Sequence, residues 1–323
     1  MLELGLQNLL SPMVLFFILG LFASLLRSDL SVPEAIAKLL ALYLLMAIGF
    51  RGGVEVAHHG LTGQLLATTG AGILLSFVTP LLAYPLLRAA TGLNRVDAAS
   101  VAGHYGSISA VTLIAVTGML TQLGIAFDGY MVAVAAAMET PAIVAALLLV
   151  GATGSATRQA SAGAMTREVL LNGSIVILLG AFAIGAITGQ RGMEMLKPFI
   201  VDAFPGFLCL FLLDMGIVAG RGILTGWRQI TPALAVFAVV MPMIGGAAAA
   251  GLALLIGLSP GSMAILITLA ASASYIAVPA AMRLALPEAN PAIPLTLSLG
   301  LTFPFNLLLG IPLYIAVAGR LAG

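Results

Sequence analysis

Ser107, Ser109 and Thr112 lie with His104 and Tyr105 in the stretch GHYGSISAVT (Gly103–Thr112), inside a run that is otherwise apolar. Hydroxyls of this kind accept from backbone amides, ligate small cations and donate to oxyanions. A helix in hydrocarbon has no reason to carry these polar side chains and two glycines together unless its backbone is used there. The stretch aligned 167 residues on, AASASYIAVP (Ala270–Pro279), is a second polar break and holds Ser272 and Ser274. Small residues also let membrane helices pack closely, and a single serine is read that way; matched interruptions in two halves are instead what a mid-depth binding site needs.

If the first of these spans unwinds near His104–Gly106, it restarts at about Ser107 with free N–H groups. The other does the same around Ser272–Ser274. Each half-helix start carries roughly half a positive elementary charge and exposed donors, which favour an anion. The carbonyl ends near Ala102–Gly103 and Ala270–Ala271 favour a small cation. Hydroxyls of Ser107, Ser109, Ser272, Ser274 and Thr112 can serve either ion.

Two mid-span prolines add oxygen ligands. Pro141 and Pro304 have no N–H to give, so the carbonyls of Ala137 and Gly300 are freed. Such groups must find a partner in lipid, and a sodium ion is one. Glu139 and Thr302 each stand two residues before their proline, and Asn306 stands two beyond Pro304. Together they offer the hard oxygens that an alkali cation takes. Asp214 lies mid-span where the first half has Ala47; it could ligate a cation, relay a proton or pair with Arg51. His104, beside two glycines, reads as a neutral hydrogen-bonding group rather than a proton carrier. No Lys or Arg lies deep in these spans, so a bound anion is held by dipoles, hydroxyls and a co-bound cation. That describes a small, singly charged oxyanion.

The chain that positions these residues is 323 residues long, 61% hydrophobic and only 8% charged. Apolar runs of about 20 residues, enough to cross a bilayer, recur throughout, and their block pattern excludes a β-barrel. The fold class is an all-α polytopic membrane protein. Ten spans are placed near Leu9–Leu26, Pro33–Glu55, Leu65–Leu87, Val96–Leu120, Gly129–Val150, Val169–Thr188, Pro198–Gly220, Thr231–Ile256, Gly261–Leu284 and Ala292–Val317. With the N-terminus outside, nine of the 13 Lys and Arg fall on the inner side, which puts both termini outside the cytoplasm. Residues 1–150 form a first five-helix repeat, 151–168 a cytoplasmic link, and 169–323 a second repeat that must cross in the inverted sense. LYLLMAIGFRGG (Leu42–Gly53) aligns with CLFLLDMGIVAG (Cys209–Gly220), pairing Gly49 and Gly53 with Gly216 and Gly220.

A net charge of +1 offers no basic face for nucleic acid, and the single Cys209 excludes a disulfide framework or a thiolate metal site. No HExxH, GxSxG or paired intramembrane aspartates appear, so an enzyme is not expected. No cleavable signal is evident at Met1–Leu10.

Long stretches of the chain resemble one family. LSPMVLFFILG, LYLLMAIGFRGGVEVA, GHYGSISAVT, METPAI, LAASASYIAVPAAMRLALPEANP and LSLGLTFPFN are similar to the SbtA family of sodium-dependent bicarbonate transporters. The resemblance implies sodium symport of bicarbonate by ten spans in a 5+5 inverted repeat with broken helices 4 and 9. It also implies a core (spans three to five and eight to ten) moving against a gate (spans one, two, six and seven), in a homotrimer in a bacterial inner membrane. Carried over by motif, bicarbonate would contact Gly106, Ser107, Ile108, Ser109, Ser272, Ala273 and Ser274. Sodium would lie near Ser109, Thr112, Glu139, Thr302 and Asn306, with Asp214 as a possible coupling residue. Cyanobacterial members are similar but carry a longer middle link than Gly151–Glu168, which puts in question the small trimeric PII-like partner of that family. Two related readings stay open: a sodium/proton antiporter carried by Glu139 and Asp214, and a sodium-coupled symporter of another organic anion.

Overall fold

Every regular element among the described residues is helical, because in hydrocarbon a helix satisfies its own backbone. The computed structural model describes residues 12–59, 62–151, 173–226, 229–275, 278, 279, 282, 286 and 288–322. In chain order the elements are α1 (Pro12–Leu25), α2 (Glu34–His59), α3 (Gly63–Ala90), α4 (Arg95–Gly106), α5 (Ala110–Gln122), α6 (Met131–Ala137) and α7 (Glu139–Gly151). There follow α8 (Gly173–Lys197), α9 (Phe204–Gly226), α10 (Pro232–Ile256), α11 (Pro260–Ala270) and the long, partly π-helical α12 (Ala292–Leu321).

Seven stretches among the described residues are long and apolar enough to cross a bilayer, and they correspond to the predicted spans two to five, seven, eight and ten. The chain is a multi-pass membrane protein. Of the other three predicted spans, α1 is described over 14 residues and α11 covers the first half of the ninth. The sixth is α8, bent where Gly189 takes a left-handed φ of 57°. Most of the link Gly151–Glu168, on which the regulatory partner bears, lies outside the described residues, as do Arg158, Arg167, Arg228 and Arg283.

Helix starts are set by side-chain caps. Thr62, Asn94, Thr231 and Ser259 each accept from the amide three residues on, satisfying donors that a helix start leaves open. The stretch Arg95–Gln122 is at the centre, with 94% of its apolar window buried, whereas Gly63–Ala90 and Pro232–Ile256 keep most of theirs outward (39% and 33% buried). Such outward apolar faces suit lipid.

Two helix pairs flank this centre, α1 against α9 and α2 against α8. In each, glycines bring backbones into contact. A Cβ on Gly20 would strike the carbonyl oxygen of Leu213, and one on Gly216 that of Phe17. In the second pair, a Cβ on Gly53 would strike Phe182 O and one on Gly185 would strike Phe50 O. Phe17 and Gly20 in α1 thus hold the stations of Phe182 and Gly185 in α8, and Gly53 in α2 holds that of Gly216 in α9. The sequence alignment sets Gly49 against Gly216; in the packing, Gly53 is the α2 glycine whose Cβ would meet a carbonyl oxygen, as that of Gly216 does in α9. Gly220 packs on Ser24, so it too is a contact glycine.

Candidate functional site at the helix breaks

The first break falls slightly later than the sequence reading placed it. His104–Gly106 are still helical, because Ser107 N donates to Gly103 O at 3.3 Å and His104 Nδ1 bonds Ser100 O at 2.7 Å, carrying α4 on to Gly106. The chain is then extended over Ser107–Ser109 and restarts as α5 at Ala110. Ser109 caps that restart, its Oγ accepting from Thr112 N at 3.1 Å. Gly106 is needed for position: any Cβ there would run into the Pro80 ring and Ser76 O of α3.

The second break opens where expected. α11 ends at Ala270, and Ser272–Ser274 are non-helical. The two breaks touch. Ser109 N donates to Ser272 Oγ at 3.0 Å, and Ser274 N donates to His104 O at 2.7 Å. Ser272 sends its own hydroxyl proton to Leu269 O at 2.7 Å, which leaves its oxygen as the acceptor for Ser109. All of His104, Ser107, Ser109, Thr112, Ser272 and Ser274 are buried. Ile108 and Ala273, which stand between these serines, are buried as well.

The two broken helices start on side-chain caps. Asn94 caps α4 and Ser259 caps α11, 165 positions apart. The same separation relates Asp97 to Ser262, each of which takes a backbone amide from the turn before another span: Asn290 N to Asp97 Oδ1 at 2.7 Å, and Asp128 N to Ser262 Oγ at 2.9 Å. The same separation relates Ser107 to Ser272 and Ser109 to Ser274, whereas the sequence alignment sets Ser107 against Ser274.

The candidate cation ligands divide between the breaks. Glu139, buried at the start of α7, accepts from Ser107 Oγ at 3.2 Å. The helix turns between α6 and α7 at Met138, whose carbonyl takes the Ser76 hydroxyl at 2.6 Å. Thr302 donates to Ala238 O at 2.8 Å and so accepts from the Tyr105 hydroxyl at 2.6 Å. Asn306 belongs to the second break: its Nδ2 donates to Ala271 O at 2.7 Å and its Oδ1 accepts from Tyr314 at 3.1 Å. Thr302 and Asn306 lie in or beside π-helical turns, in which Phe303 N reaches back to Ser298 O. Such turns redirect side chains and gather at functional positions.

Among the described residues no hydrogen bond joins Glu139, Thr302 and Asn306 directly. Asp214 stands apart, buried on α9 with Arg221 as its charged neighbour. Sequence reasoning gave no role to Ser76, Tyr105 or Tyr314. Ser76 and Tyr314 were each a lone polar group in an apolar span, and Tyr105, though inside the polar stretch, had no partner visible in the sequence. On the α2 side of α5 lies a cavity of about 370 Å³, lined by Arg51, Thr117, Thr121 and the turn from Gly124 to Gly129.

A family model described as the Na+-dependent bicarbonate transporter superfamily matches residues 12–319, nearly the whole sequence. No curated protein matches this sequence.

Proposed function

The chain belongs to the Na+-dependent bicarbonate transporter superfamily, and from that premise we propose that it is a sodium-coupled symporter importing bicarbonate by alternating access. The observation that carries this reading is the bond from Ser109 N to Ser272 Oγ, which joins two helix breaks inside a buried centre. A helix start that meets a hydroxyl at such a crossing is a ready anion seat. Bicarbonate would take the place of Ser272 Oγ before the Ser109 amide and be flanked by Gly106, Ser107, Ile108, Ala273 and Ser274.

Sodium would bind among Ser109, Thr112, Glu139, Thr302 and Asn306. Glu139 and Ser107 are already bonded, so a cation at the carboxylate sits directly beside the anion-binding stretch. Each ion then strengthens binding of the other, and the strengthening is reciprocal. The repeats would be inverted, with α3–α7 and α10–α12 as the moving core and the glycine-packed pairs of α1, α2, α8 and α9 as the gate. A homotrimer in a bacterial inner membrane, with both termini outside the cytoplasm, completes the reading; a PII-like partner would act on the cytoplasmic side. Asp214, on a gate helix, would couple rather than ligate.

The test is uptake of radiolabelled bicarbonate into proteoliposomes. Uptake should require an inward sodium gradient and stop when potassium replaces sodium. Uptake unchanged without sodium overturns the symport, and sodium-driven pH changes without bicarbonate would indicate the antiporter instead.

A further inference from the structure

A second cavity, of about 130 Å³, lies on the α4 N-terminal side of the crossing. It is lined by Ser100, His104, Pro279, Met282, Leu286 and Ala289, together with Pro291. One water occupies about 30 Å³ of liquid, so the space exceeds a single water and accommodates an anion of four heavy atoms. Its lining is mostly apolar, and its one imidazole is buried to 1% exposure.

That imidazole has an open valence. Nδ1 bonds the carbonyl of Ser100, which can only accept, so Nδ1 carries the proton. Nε2 of the neutral ring is then an acceptor, and among the described residues it has no hydrogen-bond partner. A buried polar atom without a partner is costly, and this one belongs to a residue that borders a cavity able to supply a partner. The backbone carbonyl of the same residue holds Ser274 N, so His104 joins the crossing to the cavity.

We propose that this cavity is a transit subsite for the anion leaving the crossing, and that His104 Nε2 accepts the O–H of a protonated oxyanion there. The proposal rests on the symport reading and names its substrate class more narrowly. Hydrogencarbonate carries one such hydroxyl; nitrate and formate, of similar size and charge, carry none. An acceptor at this point favours the first and leaves the other two facing a lone pair. His104 is thereby a specificity-determining residue for the transported ion.

The experiment compares wild type with His104→Leu and His104→Gln in proteoliposomes. Bicarbonate uptake is read against sodium, and nitrate and formate are added as competitors. A single hydrogen bond is worth about 0.5–1.5 kcal/mol net, so His104→Leu should raise the KM for bicarbonate about two- to twelvefold. Both competitors should then inhibit at lower concentration, with the KM for sodium unchanged. His104→Gln, which keeps an acceptor, should restore the preference. If the leucine variant does not fold, the ¹⁵N imidazole signal of the wild type answers instead. His58 and His59 are replaced by Gln to leave one histidine. The Nε2 signal should move with bicarbonate and stay with nitrate. An unchanged KM and competitor ranking in His104→Leu, or equal shifts with both anions, overturns the proposal while the symport stands. Loss of sodium dependence in the wild type overturns the symport itself.

Discussion

In the proposed symport the cation half of the site turns on Glu139, because it is the carboxylate hydrogen-bonded to a break. Ser107 donates to it, so the neutral amide of Glu139→Gln can still accept through its oxygen while losing the charge. The expected outcome is a protein that accumulates at wild-type level but needs at least about tenfold more sodium for half-maximal uptake, a loss near 1.4 kcal/mol. Unchanged sodium affinity would return the carboxylate to a purely structural hydrogen bond. Ser272 probes the other ion. Ser272→Ala removes the acceptor that meets Ser109 N, and with it one of the hydroxyls that would surround the anion. Bicarbonate KM should rise about two- to twelvefold, on the scale of one hydrogen bond, with a smaller change in sodium KM. Sodium KM changing more than bicarbonate KM would assign this hydroxyl to the cation.

The glycine-packed pairs determine whether α1, α2, α8 and α9 hold as a unit. Gly53→Val places a branched side chain against Phe182 O, a backbone atom that cannot swing aside, and overpacking of this kind costs about 1–3 kcal/mol. The melting temperature in detergent should fall clearly for Gly53→Val and for Gly216→Val. Gly180→Ala, where a Cβ would meet open space, should leave it unchanged or raise it. The same elements mark the limits of the sequence reading. Spans two to five, seven, eight and ten were legible because apolar length alone defines them. The breaks were legible because Ser107, Ser109, Ser272 and Ser274 are polar in apolar surroundings. The contacts were not: apolar segments slide past one another at little change in hydropathy, so caps such as Asn94 and Ser259 and a contact such as Gly53 to Phe182 emerge only in three dimensions. The partition of the candidate ligands was hidden for the same reason. Glu139 and Asn306 were grouped by their nearness to prolines, yet one reaches Ser107 and the other Ala271.

Orientation in the membrane decides whether the proposed symporter imports or exports, and two surface positions test it. Ala90, at the end of α3, and Leu123, just past α5, are both exposed. Between them runs the stretch Arg95–Gln122, 28 residues of mostly helical chain; at about 1.5 Å per residue it exceeds the ~30 Å hydrocarbon layer. If that stretch is one span, the two positions lie on opposite sides of the bilayer. Basic residues choose the sides: Arg88 and Arg95 bracket Ala90, whereas the turn around Leu123 carries none. With Cys209→Ser as background, a membrane-impermeant maleimide applied to intact cells should label Leu123→Cys and spare Ala90→Cys until the membrane is opened. This outcome sets the cavity beside Arg51 and Thr121 toward the outside and the His104 cavity toward the cytoplasm, the order an imported anion would follow. Labelling of Ala90→Cys alone would reverse the topology, place both termini in the cytoplasm and make the His104 cavity the point of loading instead of release.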